Sequence, residues 1–166
     1  MTTASFSTCD LCDAHEDDAS GAFRVLPPVL RAFGAERPFS GRVHTLRAPE
    51  DNSRVREAVN TPGEGRVLVV DGGGSLRHAL VGGNLALAAA KNGWAGIVVD
   101  GCVRDAAELR AAGVPVRALA LMPLRTPKRG EGQAGEPVRI QGVWVRPGDW
   151  LYADEDGIVV ADRPLA

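Results

Sequence analysis

"GRVLVVDGGGSLRHALVGGNLALAAAKNGWAGIVVDGCVRD", residues 65–105, carries the pattern that decides the fold. Val67 to Val70 form an unbroken apolar run ending at Asp71 and three glycines, which suits a strand over 65–74 that is buried on both faces and followed by a tight turn. Residues 84–93 are apolar almost all round and stop at Gly93, predicting a buried helix with a left-handed glycine at its end. "AGIVVDG" at 95–101 repeats the buried-strand pattern. "DAAELRAAG" at 105–113 predicts another helix capped by Gly113, and "PVRALAL" at 115–121 a third core strand. Strand, helix, strand, helix, strand implies right-handed parallel crossovers in a layered α/β core.

The flanks differ in character. Toward the N-terminus, "TCDLCDAHEDD" (8–18) predicts a short acidic helix with Asp10, Asp13 and Asp17 on one solvated face, in preference to a metal site. A strand is expected over 40–48 and a helix over 52–60, stopped by Pro62-Gly63. Residues 126–137 read as a polar Gly/Pro-rich loop. Beyond it, "VRIQGVWVRPGDWLYADEDGIVVA" alternates and turns at Pro147-Gly148 and Asp156-Gly157, as antiparallel hairpins do, so the sheet is expected to be mixed.

At 166 residues the chain suits one domain over 1–166, and with 45% hydrophobic but only 5% aromatic residues its core must be aliphatic. Nineteen basic against twenty-one acidic residues, a net charge of -2, give no electrostatic excess for nucleic acid or an anionic membrane, so neither is expected as a direct partner. No apolar run approaches the roughly 18 residues of a membrane span. The start "MTTASFSTCDLCD" also lacks the order of a signal peptide, and a cytoplasmic location is expected. Of three cysteines, Cys9 and Cys12 form a C-x-x-C without a second ligand pair or a preceding strand, so they read as ordinary helix cysteines rather than a redox pair or half a zinc site.

Two features carry chemistry. Gly82-Gly83-Asn84 precede an apolar helix whose first N–H groups have no internal acceptor and can bind a carboxylate or enolate oxygen; alternatively the glycines merely relieve the helix start, with Asn84 or Ser75 as caps. Arg104-Asp105 ends a buried strand, where open α/β sheets place ligands. The guanidinium can grip a carboxylate and the Asp can offer a hard oxygen to Mg²⁺ or Mn²⁺; the plainer reading is a helix cap and a surface ion pair. Twenty residues separate Gly83 from Arg104, enough for a three-turn helix and a returning strand, so both ends should reach one pocket. "GGGSLR" completes no nucleotide-binding pattern, and Gly72 to Gly74 read as a turn. His44 and His78 read as structural, and Asp100 and Cys102 as supporting or packing residues. Glu50, Asp51 and Asn52 are candidates to reach a neighbouring subunit's site.

The 65–105 block, with "LCD" near the start, "PEDN" at 49–52 and "GDWLYADEDGIVV" near the end, resembles the RraA-like family over nearly the whole chain. That family includes regulators of ribonuclease E activity and class II 4-hydroxy-4-methyl-2-oxoglutarate aldolases that also decarboxylate oxaloacetate. The resemblance implies a swivelling β/β/α fold and a homotrimer with sites near subunit boundaries. In the aldolase branch the motif is Asp, twenty residues, Arg-Asp. Carried over, it implies Arg104 as the catalytic residue that grips a small 2-oxoacid substrate, Asp105 as ligand to a divalent cation (Mg²⁺ or Mn²⁺), and the backbone of Gly82, Gly83, Asn84 and Leu85 as the substrate cradle. The first Asp of the motif is replaced by Gly83. Because oxaloacetate decarboxylation needs no hydroxyl proton removed, that replacement predicts that decarboxylation survives better than aldol cleavage. The alternative function is a non-catalytic regulator that binds ribonuclease E.

Overall fold

The computed structural model of the protein describes residues 5–166. Helix α1 (Thr8–Ala14) precedes strands β1 (Phe23–Val25), β2 (Arg31–Ala32) and β3 (Phe39–Arg47). Then come α2 (Ser53–Val59), β4 (Val67–Asp71), β5 (Ala79–Val81), α3 (Gly83–Lys91), β6 (Gly96–Asp100), β7 (Cys102–Val103) and α4 (Ala106–Ala112). The chain ends with β8 (Val116–Ala118), β9 (Ala120–Leu121), β10 (Gln133–Ala134), β11 (Val138–Ile140), β12 (Val143–Val145), β13 (Trp150–Ala153) and β14 (Ile158–Ala161).

The main sheet runs β1-β14-β13-β3-β4-β6-β8-β2, with β10 added along β3. Its centre, β3-β4-β6-β8, is parallel, and its flanks are antiparallel, as the alternation of the two chain regions predicts. Alternate residues of β4 enter different cores, which explains its continuous apolar run. Leu68 and Val70 meet Val55 of α2, Ala86 and Ala89 of α3 and Leu109 of α4, while Val67 and Val69 meet Val138, Ile140 and Val145 of the β11–β12 hairpin. Hairpin, sheet and helices thus stack in β/β/α order. Truncating a fully buried Leu68 or Leu109 to Ala would cost about 2–5 kcal/mol.

A second, three-stranded parallel sheet, β5-β7-β9, lies beyond the carboxyl ends of the core strands. The single strand expected over 115–121 is divided between the two sheets: β8 ends at Ala118 and β9 starts at Ala120, with Leu119 donating its N–H to Gly101 O at 2.9 Å. Gly101 makes the matching break between β6 and β7. This small sheet holds the ends of the segments that carry Gly82 and Arg104.

Other boundaries differ locally. The acidic helix expected over 8–18 stops at Ala14, where the His15 N–H turns back to Cys12 O and His15 stacks on Phe23. Pro147-Gly148 does turn the chain, but it links β12 to β13, which do not pair; the hairpin turn falls at Gln141-Gly142, both at positive φ (48° and 81°). Asp156-Gly157 does join the paired strands β13 and β14. Among the described residues no helix is long and apolar enough to cross a membrane.

Candidate active site

The two ends expected to converge do so through backbone and side-chain bonds. Arg104 N donates to Val81 O at 2.9 Å, which fixes β7 beside the residue before the glycines. Gly83 N then donates to Asp105 Oδ2 at 2.9 Å, so the first N–H of α3 is taken by the carboxylate. The first intrahelical bond is Ala86 N to Gly82 O, leaving the Asn84 and Leu85 N–H groups ahead of the helix's own ladder. Asp105 is the N-cap of α4 by position, but its side chain makes no capping bond, and its backbone sits at φ 65°, ψ 54°. A non-glycine residue held there costs about 1 kcal/mol, offset here by aiming the carboxylate across at α3. The cap alternative for Asp105 therefore fails in its side-chain part.

The glycines are required by approach, not by torsion. Gly82 is extended at φ -123°, ψ -170°, yet a Cβ on it would stand 2.7 Å from Asp105 Oδ2 and 3.4 Å from Arg104 Cγ. Neither Ser75 nor Asn84 caps α3; Ser75 Oγ instead donates to Glu50.

Gly82, Asn84, Leu85, Arg104 and Asp105 line one open cleft of about 360 Å³; Gly83 stands behind it, and Arg104 also donates to Pro123 O at 3.3 Å. The cleft is also lined by Asn52, Arg56, Asn60, Arg125 and Lys128, of which the sequence reading singled out only Asn52. Arg56, Arg104, Arg125 and Lys128 form no ion pair among the described residues, so four cations face one lining carboxylate, Asp105. Such a lining suits a small molecule with two negative charges.

Asp105 also bears on the expected cation. Among the described residues no three His, Cys, Asp or Glu side chains gather into a closed metal site. A hard cation such as Mg²⁺ needs none, because it binds through one or two carboxylates and keeps several waters. The Asp105 carboxylate, half-committed to Gly83 N–H and open to the cleft, fits that requirement.

The remaining candidates have local duties. Asp51 is buried and accepts from Ser53 N (2.8 Å), Ser53 Oγ (2.6 Å), Arg129 N (2.6 Å) and Glu131 N (3.3 Å). Burial opposes its charge, but these donors outweigh it and hold the carboxyl at about 2. Asn52 bonds Leu80 O and Thr126, and Glu50 pairs with Arg77, whose hydrogen bonds, with that of Ser75, pull its carboxyl to about 2. Asp51 and Asn52 thus pin the loop that carries Arg125 and Lys128, while Glu50 holds the Ser75–Arg77 turn. Asp100 accepts from Gln141 N and Nε2, tying β6 to the hairpin, and Cys102 is buried, which raises its thiol pKa. His44 packs beside Trp94, with burial lowering its pKa, and His78 Nδ1 meets Arg125 O. The carboxylates of Asp156, Asp154 and Asp13 raise the Cys9 thiol, and burial chiefly raises Cys12. Gly74 N closes the triple-glycine turn on Asp100 O at 3.0 Å.

Fold and cleft together place the chain among known proteins. Residues 8–160 match the profile described as RraA-like: Aldolase/RraA, and the chain belongs to this family. A protein of Albidiferax ferrireducens named "Putative 4-hydroxy-4-methyl-2-oxoglutarate aldolase" is 65% identical over 167 residues, covering 96% of either chain. The solved structure described as the RNA-processing inhibitor RraA from Thermus thermophilis superposes with a TM-score of 0.90 at 46% identity, covering 98% of this chain and 96% of that one. One described as S-adenosylmethionine: 2-dimethylmenaquinone methyltransferase from Geobacillus kaustophilus superposes at 0.88 with 41% identity, covering 96% and 97%. Three different activities attach to one fold, so the function must be argued from the cleft.

Proposed function

We propose that the protein is a divalent-metal-dependent lyase that cleaves 4-hydroxy-4-methyl-2-oxoglutarate into two pyruvates and decarboxylates oxaloacetate. The observation that carries this reading is the meeting of Arg104, Asp105 and the start of α3 in a cleft lined by further unpaired cations. The name of the 65%-identical relative supports the substrate.

In this reading Asp105 holds Mg²⁺ or Mn²⁺, which when bound supplies positive charge where the substrate's 2-oxo oxygen gains negative charge. Arg104 grips the adjoining carboxylate and oxo oxygens through parallel N–H bonds. Asn84 and Leu85 N–H groups receive the remaining carboxylate oxygen at the positive end of α3. Arg56, Arg125 and Lys128 attract the distal carboxylate. The C3–C4 bond breaks with its electron pair moving into the pyruvate enolate, while the C4 hydroxyl gives its proton to solvent water and becomes the carbonyl of the other pyruvate; the enolate then takes a proton from water at C3 to become the second pyruvate. Oxaloacetate loses CO₂ from the same carbon and leaves the same enolate, so preorganised donors at that oxygen serve both reactions. A homotrimer, with the cleft near a subunit boundary, completes the reading; light scattering on the purified protein tests it.

The test is pyruvate release from each substrate with Mg²⁺, with chelator, and in Asp105→Ala. The absence of metal-dependent release from the parent protein would overturn the reading. A second reading, a regulator that binds ribonuclease E, draws on the neighbour described as an RNA-processing inhibitor. Saturable binding to ribonuclease E that survives Asp105→Ala would favour it.

A further inference from the structure

Asn52, Arg56 and Asn60 follow one another at four-residue spacing, so the N-cap, the middle and the C-cap of α2 turn one stripe toward the cleft that all three line. This helix is fixed beside α3 at both ends. Asn52 Nδ2 donates to Leu80 O at 3.1 Å, just ahead of the glycine pair, and Asn92 Nδ2, at the C-cap of α3, donates to Val59 O at 2.8 Å. The two helices therefore run in the same direction, and Arg56 stands past the start of α3, on the side of the turn that carries Ala88, another lining residue. Its neighbours Arg54 and Glu57 pair with each other at 2.6 Å, whereas Arg56 makes no ion pair among the described residues. The loop with Arg125 and Lys128 is held nearer the other end: Arg125 bridges to Ala79, and Thr126 Oγ1 donates to Asn52 Oδ1 at 3.0 Å. The cleft thus offers cations at two levels, with the apolar Leu85 and Ala88 in its lining between Arg104 and Arg56.

Resting on the lyase reading, the two substrates differ in where their second carboxylate lies. The bond that breaks joins C3 to C4 in both, so C4 takes the same place in both. Oxaloacetate carries its second carboxylate at C4 itself, whereas the hydroxy acid carries it at C5, one C–C bond of about 1.5 Å farther out. Extended, C1 to C5 spans about 5 Å, close to the roughly 5.4 Å of one helical turn. With C1 at the Asn84 and Leu85 N–H groups, C5 reaches the turn of α3 that carries Ala88. We infer that Arg56 is the specificity-determining residue for that carboxylate, its guanidinium holding the C5 oxygens while the C4 methyl rests on Leu85 and Ala88. Oxaloacetate ends short of Arg56 and relies on Arg125 and Lys128. The C5 carboxylate keeps its charge while the C3–C4 bond breaks, so Arg56 binds substrate and transition state alike and acts in KM rather than kcat. The class of ligand this end of the cleft selects is a five-carbon 2-oxo diacid.

The experiment measures both reactions with Mg²⁺ in the parent, in Arg56→Ala and in Arg56→Lys, beside calorimetry with 2-oxoglutarate, which has the C5 carboxylate but no C4 hydroxyl, and with pyruvate, which ends at C3. Arg56 is exposed, so both variants should fold as the parent does. In Arg56→Ala, KM for the hydroxy acid should rise about tenfold, the loss of a charge-assisted hydrogen bond, with kcat within about threefold. KM for oxaloacetate should rise about fivefold less. The affinity for 2-oxoglutarate should fall about tenfold while that for pyruvate stays within about twofold. Arg56→Lys should recover part of the lost affinity, because the charge remains without the fork. An equal rise in KM on both substrates, an unchanged KM for the hydroxy acid, or a fall confined to kcat would overturn the role of Arg56 and leave the lyase reading standing. A parent protein inactive on both substrates that still binds 2-oxoglutarate more tightly than pyruvate, with the difference lost in Arg56→Ala, would overturn the lyase reading and leave the diacid site standing.

Discussion

Gly83 and Asp105, twenty-two positions apart, are joined by a 2.9 Å hydrogen bond from the backbone N–H of one to the carboxylate of the other. This bond turns a helix start and a strand end into one site. It also explains why Asp105 adopts a left-handed backbone at the N-cap of α4 without capping that helix.

Gly82→Ala separates approach from stability. The extended backbone accepts alanine, but its Cβ would press on Asp105 Oδ2 at 2.7 Å. The carboxylate is the free end of a side chain and can move, so Tm should stay within a few degrees while kcat/KM for pyruvate release falls about tenfold, the cost of misplacing a functional group by a fraction of an ångström. Steady-state kinetics beside a thermal melt check it.

Arg104→Lys keeps the charge and removes the fork that can hold two oxygens at once. Pyruvate release from both substrates should fall about 100-fold in kcat/KM, because the enolate oxygens are held in both reactions. An equal loss on both substrates is the signature expected here.

Lys128→Ala acts on the distal carboxylate instead. KM for either dianionic substrate should rise about tenfold with kcat within about threefold, the pattern of binding lost equally from ground and transition states. Raising the salt concentration should lift the parent KM and narrow its difference from the variant, because open charges are screened.

Asp51 ties acid stability to the loop that carries Lys128. Its folded carboxyl sits at about 2, below the ordinary 3.8, so its contribution is present above about 4 and is lost as pH falls from there through about 2. Asp51→Asn should destabilise the protein by about 2 kcal/mol at neutral pH, through the lost charge-assisted bonds to Ser53, Arg129 and Glu131. Its Tm should also decline less steeply than the parent's between pH 4 and pH 2. Chemical denaturation and melts across that window read both effects.

The core was legible in the sequence because its signals are local. Val67 to Val70 could only be buried on both sides, and Gly93 and Gly113 take the left-handed backbone (φ 79° and 90°) that ends each helix. The spacing of Gly83 and Arg104 was sufficient to place them together. The small β5-β7-β9 sheet was not legible, since strands of two or three residues are too short to show a period. Nor was the Gln141-Gly142 turn, because glutamine is not among the residues that announce positive φ. Arg56, Arg125 and Lys128 come to the cleft from a helix and a loop that no motif connects to it. The packing of Glu108 on Gly83 depends on how closely α3 and α4 approach, which spacing along the chain does not encode.

The most direct measurement of the central claim is the stoichiometry and metal dependence of 4-hydroxy-4-methyl-2-oxoglutarate turnover. The purified protein with Mg²⁺ should yield two pyruvates per substrate consumed, lose that activity on chelation, regain it on adding Mg²⁺ or Mn²⁺, and show no metal response in Asp105→Ala. Substrate left intact by the metal-loaded parent protein, or turnover indifferent to both chelator and Asp105→Ala, would contradict it.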